Sequence, residues 1–265
     1  MIDLQNTKDY RNIAIDRVGV KGIKYPITVL DKANQYQSTT ASIDMFVDLP
    51  QEARGTHMSR FIEMLHVFRN EVSLKSFSMI LEEMKRQLGA KSAHIEVRFP
   101  YFIEKKAPVS GAAGLMDYNC GFIAKTLENG DADILLELKV PITSLCPCSK
   151  EISDYGAHNQ RGEVTLLTRF KEFIWMEEMI TMVESAGSCE LYSILKRSDE
   201  KAVTEKAYDN PKFVEDIVRD IALYLEKDDN ITWFSISVEN FESIHNHSAY
   251  AYICSDKNSM RLEGF

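Results

Sequence analysis

Two cysteines separated by one proline, with a histidine ten residues further on, stand in TSLCPCSKEISDYGAHNQRG, residues 143–162. Residues of these types bind metals, form redox pairs, act as a nucleophile with its base, or simply occupy a loop. A redox C-x-x-C pair needs two intervening residues at a helix start. Cys146 and Cys148 have one between them, and it is Pro147. A disulfide joining them would be strained, which leaves reversible oxidation open but disfavours a structural bond. A closed zinc knuckle would want a second cysteine pair, and none is close in sequence. A mixed site of one thiolate, one imidazole and a ligand from elsewhere, with a position left for water, follows the logic of catalytic zinc. The alternative is that the cysteines are merely buried.

Three further stretches carry reactive side chains. In FESIHNHSAY, residues 241–250, Glu242, His245 and His247 fall within six positions. An extended backbone would point His245 and His247 the same way, and a helical turn would put Glu242 and His245 on one face. A polar loop with two surface histidines is the plain reading, yet the chain has only six histidines and two stand here beside an acid. LKRSDEKAVTEKAYDNP, residues 195–211, is mostly polar, and taken alone its acids read as solvated. In EARGTHMSRF, residues 52–61, Arg54, His57 and Arg60 surround a helix start. Cations and helix N–H groups there make an anion cradle, with an exposed helix cap as the equal alternative. No phosphate-binding loop occurs, and SGAAG at 110–114 reads as a flexible turn.

The chain that must position these residues has 265 of them, enough for one large domain or two small ones. Its 45% hydrophobic and 27% charged content is that of an ordinary soluble globular protein. A formal net charge of -9 argues against broad nucleic-acid binding but not against a small anionic substrate held by local Arg and Lys. No apolar run is long enough to span a membrane. The polar start MIDLQNTKDY has no secretory signature, so a cytoplasmic location is expected. Five cysteines without framework spacing argue against structural disulfides.

Periodicity predicts the elements. Ile13 to Val29 reads as irregular extended structure, and Ala41, Ile43, Met45 and Val47 alternate as a half-buried strand. Phe61, Met64, Leu65 and Phe68 form one helical stripe, with Ser59 as its cap; Leu74, Phe77, Leu81, Met84 and Leu88 form another, closed by Gly89. Strands follow at 93–99 and 115–127. After ENGDAD the order begins again: strands at 134–140 and 163–170, a helix in FIWMEEMITMVE, another opened by Pro211, and two closing strands. The fold class is therefore α+β, two strand–strand–helix–helix–strand–strand units divided near Gly130 (1–130 and 131–265), or one domain with a long antiparallel sheet. Such sheets leave edges to be covered, which favours a homo-oligomer.

GTHMSRF, SLCPCSKEIS-x-YGAHNQRG, LKR-x-DEK-x-VTE-x-AYDNPKFVED and ESIHNH, in order from residue 55 to residue 247, together resemble GTP cyclohydrolase of the IB type. That is the prokaryotic enzyme opening tetrahydrofolate biosynthesis. The resemblance implies a tandem tunnelling fold, with sheets of associated subunits closing into barrels and active sites at their interfaces. It implies a homo-oligomer, typically a tetramer; the charge and hydropathy of the chain are what argue against a nucleic-acid or membrane partner. The implied reaction converts GTP and water to 7,8-dihydroneopterin triphosphate and formate. The runners-up are another tunnelling-fold activity on a purine or pterin, such as a nitrile reductase, and a non-catalytic metal or redox sensor.

By the same resemblance, Cys146, His158 and Glu200 match the ligands of a divalent metal, zinc or manganese, with iron also admitted by the oxygen donor. Cys148 falls beside that shell. Glu242 and His245, then His247, are the proton-transfer candidates. Glu215 is the candidate anchor for the guanine edge. Arg54, His57, Arg60 and Arg161 are candidates for the triphosphate.

Overall fold

The computed structural model describes residue 5 and residues 7–65 and 72–257. Eight antiparallel strands are hydrogen-bonded in sequence order: β1 (Ile15–Asp31), β2 (Gln35–Leu49), β3 (Ala93–Lys106), β4 (Ala113–Thr126), β5 (Ala132–Leu145), β6 (Asn159–Phe170), β7 (Ile231–Asn240) and β8 (Ala249–Asp256). Residues 1–100 with 121–135 form one compact unit, and residues 101–120 with 136–265 form the other. Strands β3 and β4 each contribute residues to both units.

In the first unit, β1 is one continuous strand, and the irregularity read in the sequence shows as register shifts, the first between Ile15 and Val18. The second lies between Val20 and Ile23. Gly22 sits there at φ +69°, a left-handed value that costs glycine little, and its N–H is held by the Asp44 carboxylate at 2.7 Å. Helix α1 (Met58–Met64) packs against β1, and α2 (Leu74–Leu88) against β2. The stripe Phe77, Leu81 and Met84 meets the inner residues Ile43, Met45, Ile95 and Val97, all essentially inaccessible to water. Ser73 and Ser76 form a reciprocal cap on α2, and Gly89 ends it in the left-handed conformation. One reading of α1 changes. Its N-cap is His57, so Ser59 lies inside the first turn, and Phe68 lies outside the described residues.

In the second unit, Leu138, Val140, Val164, Leu166, Phe234, Ile236 and Val238 bury the inner sheet face. Helices α4 (Met176–Ala186) and α6 (Val214–Lys227) supply Ile180, Val183, Ile217, Ile221 and Leu225 to the same core. Two helices appear that periodicity does not give, α3 (Pro147–Ile152) and α5 (Arg197–Asp209). Pro211 does not open α6. Phe213 is its N-cap, and the Asp216 carboxylate accepts the Phe213 N–H at 3.0 Å.

The turn read as flexible around SGAAG is pinned. Asp199 Oδ1 accepts the N–H groups of Val109 and Ser110 at 2.8 Å each, and Oδ2 accepts the Ser110 hydroxyl at 2.6 Å.

A second buried acid ties α4 to the sheet. Glu184, 6% exposed, accepts from the Tyr118 hydroxyl and from Lys105 Nζ, both at 2.7 Å. Burial first, and then the Glu184 charge, hold the Tyr118 phenol above its ordinary range. Tyr118→Phe removes one of these donors from a buried carboxylate, so it is expected to cost about 1–3 kcal/mol in denaturant unfolding. An unchanged midpoint would show that Lys105 alone satisfies Glu184.

Candidate active site

The local fold brings Cys146 and His158 side by side. Strand β5 ends at Leu145, paired with Asn159 of β6, and Cys146 continues the ladder by donating its N–H to the His158 carbonyl at 3.1 Å. Residues between them make a short excursion that starts with α3. Cys146 is the N-cap, its Sγ accepting the Ser149 N–H at 3.4 Å, and Pro147 occupies the first helical position. The Ser149 hydroxyl closes the excursion, donating to the Cys146 carbonyl and accepting the His158 N–H, both at 3.2 Å. Both cysteines are free thiols; Cys146 is half-buried and Cys148 is exposed.

The His158 ring lies against two oxygen groups. Nδ1 is 2.9 Å from Gln160 Oε1 and 3.6 Å from Glu242 Oε2. Glu242 follows directly from β7, where its N–H turns back to the Asn240 carbonyl at 3.0 Å. The next residues form a turn, with the His245 N–H reaching the Glu242 carbonyl at 3.3 Å. His245 and His247 are exposed and stacked, ring centroids 5.0 Å apart and planes 19° from parallel. Glu242 therefore meets His158, while the two later histidines pair with each other.

Helix α5 carries Glu200. Its carboxylate is 3.3 Å from Arg197 and about half exposed. Val203, Thr204 and Ala207, one and two turns on, lie on the same face of the helix. Those three residues line a cavity of about 270 Å³, whose other wall includes Gln160 and Arg161 of β6. Glu200 itself does not line that cavity. Among the described residues no three His, Cys, Asp or Glu side chains stand together as a metal shell. Cys146 and His158 fit two positions of a mixed thiolate–imidazole shell, since one offers a part-buried sulfur and the other a ring engaged on one nitrogen.

The cavity also contains a carboxylate that pattern reading missed. Glu190 follows Gly187, Ser188 and Cys189 in a segment with no periodicity, so only the path of the chain brings Lys206 to it, at 2.6 Å. Burial pushes the Glu190 carboxyl upward, but the bond and charge of Lys206 outweigh it and leave the net value below the usual range. Its neighbour Cys189 is pushed up to about 11, by burial and then by the Glu190 charge. At pH 8 Cys189 is then overwhelmingly the protonated thiol. A short iodoacetamide treatment at pH 8 is expected to label exposed Cys148 and Cys254 first, and Cys189 and Cys120 last, by peptide mass analysis. Equal rates for Cys189 and Cys148 would contradict this environment.

The remaining sequence candidates are placed as follows. Arg161 is exposed and lines the cavity. Glu215 is exposed in the first turn of α6. Arg54, His57 and Arg60 belong to the first unit. Arg60 donates to the Gln87 carbonyl at 2.6 Å, serving the C-terminal end of α2, and Arg54 is 3.5 Å from the Thr7 hydroxyl.

Comparison with known proteins places these observations. Urate oxidase from Bacillus subtilis 168 aligns over 91% of this chain and 99% of its own, with a TM-score of 0.55 at 6% identity. A uricase from Bacillus fastidious aligns over 94% and 96%, with a TM-score of 0.57 at 7% identity. At such identities the likeness shows the fold alone, the tunnelling fold. Sequence relatives are far nearer. A protein named GTP cyclohydrolase FolE2 from Desulfosudis oleivorans is 63% identical over 253 residues, covering 96% of this chain and 97% of its own length. One of the same name from Syntrophobacter fumaroxidans is 58% identical over 253 residues, covering 96% and 98%. The family model described as type I GTP cyclohydrolase folE2 matches residues 1–251, which include both cysteines of the opening stretch and both histidines after Glu242, and the chain belongs to that family.

Proposed function

We propose that this protein hydrolyses GTP to 7,8-dihydroneopterin triphosphate and formate, the entry reaction of tetrahydrofolate biosynthesis. The near-full-length identity to proteins named GTP cyclohydrolase FolE2 carries this reading. The pairing of Cys146 with His158 supports it from the structure.

Water must add at C8 of guanine, the imidazole ring must open, a second hydrolysis must release formate, and the sugar must rearrange and close the new ring. Cys146, His158 and Glu200 would hold a divalent metal, zinc, manganese or iron, which supplies hydroxide near neutral pH. Glu242, whose carboxylate lies near His158, would take up and return a proton during the reaction, and His245 with His247 would pass protons to and from solvent. Oxidation of exposed Cys148 to a disulfide with Cys146 by an external two-electron oxidant would remove the thiolate. Arg161 is the cation for the triphosphate on the cavity wall. Glu215 offers its exposed carboxylate to the guanine edge.

A homo-oligomer, a tetramer in this reading, fits a sheet in which β8 is a terminal strand among the described residues, with exposed Tyr250 and Tyr252 on one of its faces. No helix among the described residues is long and apolar enough to cross a membrane. A cytoplasmic location is part of the same proposal.

The test is GTP turnover by chelator-stripped protein with and without added manganese or zinc, following formate together with pterin fluorescence after oxidation. Metal-dependent release of both products is expected. Formate without pterin would require new roles for the histidines, and no formate with any metal would move the weight to a reductase or a sensor.

A further inference from the structure

Ser144, near the end of β5 and 1% exposed, touches three polar groups. Its hydroxyl is 2.9 Å from the Lys212 backbone carbonyl, 2.9 Å from Asn240 Nδ2 and 3.4 Å from Gln160 Nε2. A carbonyl oxygen can only accept, so the Ser144 proton goes to Lys212. Both remaining positions on the Ser144 oxygen are then acceptors. Each neighbouring amide must therefore present its NH2 group to it.

This fixes Gln160, which is 8% exposed. With its nitrogen committed to Ser144, its oxygen faces His158 Nδ1 at 2.9 Å. An amide oxygen also only accepts, so Nδ1 must carry the proton. The other group on that edge of the ring, the Glu242 carboxylate at 3.6 Å, is an acceptor as well. Glycine at 162 makes room for the arrangement. A Cβ there would fall 2.4 Å from Asn240 Oδ1 and 3.0 Å from the Glu239 carbonyl, displacing the amide that reaches Ser144.

We infer that Gln160, oriented by Ser144, is a positioning residue that locks His158 as its Nδ1–H tautomer and leaves Nε2 as the atom that binds the metal. The relay starts from a main-chain carbonyl, whose role cannot switch, and runs through two amide and hydroxyl steps to the ligand. It prevents the ring from turning over and presenting the wrong nitrogen. The inference rests on the proposed reading of His158 as a ligand.

Long-range proton–nitrogen correlation of 15N-histidine-labelled, metal-free protein at pH 8 tests the relay without metal. His158, assigned through His158→Gln, is expected in the Nδ1–H pattern in the parent. A shift of that pattern toward a mixture with Nε2–H is expected in Gln160→Met, which keeps the length of the side chain but has no amide and leaves Nδ1 the more distant Glu242 carboxylate. Zinc affinity, measured by competition with a chromophoric chelator, is expected to fall about 10–100-fold in Gln160→Met. A smaller fall is expected in Ser144→Ala, and Gln160→Glu, which keeps an acceptor at Nδ1, restores at least part of the loss. Thermal melts show that each variant is folded, and Ser144→Ala carries the test if Gln160→Met is not. An Nε2–H pattern in the parent, or unchanged zinc affinity in Gln160→Met, overturns the inference. Unchanged affinity in His158→Gln instead overturns the ligand reading, and with it the assignment of Nε2 to the metal; the tautomer then judges the relay alone.

Discussion

Cys146→Ala is expected to lower kcat/KM for GTP by at least about 10³-fold, since free water with a pKa near 15.7 replaces one near 7 as the source of hydroxide. His158→Ala should do the same, because the two residues face each other where the ladder continues past Leu145 and Asn159, and would contribute two donors to one ion. The structural cost of either change is small by comparison. The Cys146 thiol accepts one N–H of a six-residue helix, and the Ser149 hydroxyl bonds that close the excursion go to main-chain groups that alanine keeps. Folding and thermal midpoint should therefore stay close to those of the parent while bound metal, measured by elemental analysis, is lost. Alanine at Cys148, exposed and two residues further on, should retain metal and turnover. If Cys146→Ala keeps its metal, the thiolate is not a ligand. If it loses metal and still releases formate, the hydroxide has another source.

Much of this was legible because strands and amphipathic helices write their periods into the chain. Leu138 and Val140, or Ile217, Ile221 and Leu225, could face nowhere but inward. The two elements that escaped are those whose burial is slight. Helix α3 has no buried residue, and α5 buries only Asp199 and Ala207, so neither shows an apolar stripe. The pairing of Cys146 with His158 was suggested by motif, but its cause, a ladder resumed after an excursion, is a property of strand register. Gln160 and Ser144 carry no pattern at all. They are ordinary inward positions of their strands, and become informative only when the carbonyl of Lys212 is seen beside them. Glu190 is similar, since its ionisation depends on a lysine sixteen positions away on another element.

Asp199→Ala is expected to be the most damaging single change away from the proposed ligands. Besides its three bonds to Val109 and Ser110, this inaccessible carboxylate accepts the Lys196 N–H at 2.8 Å, capping α5. Alanine would strand three main-chain donors and a hydroxyl, and release the turn at residue 110 from the start of the helix. A fall of several degrees in thermal midpoint at pH 7 should follow, with a smaller fall for Asp199→Asn, which keeps one oxygen acceptor. The pH dependence has a definite sign. Burial raises the Asp199 pKa, but the Ser110 and Lys196 hydrogen bonds outweigh it and hold the net value well below the ordinary 3.8. The folded state therefore favours the ionised form. That stabilisation is fully present above about pH 4 and is lost as pH falls through the lowered folded value. The gap in midpoint between parent and Asp199→Ala should be widest at neutral pH and shrink progressively below pH 4. Turnover provides a second reading of the same change, because Glu200 is the next residue and its position is set by the helix turn that Asp199 caps. Activity should fall even at temperatures where the variant remains folded, and metal affinity should fall with it. A gap in midpoint that is the same at pH 3 and pH 7 would show that the charge of Asp199 contributes nothing. Full activity in a measurably destabilised variant would separate the cap from the placement of Glu200.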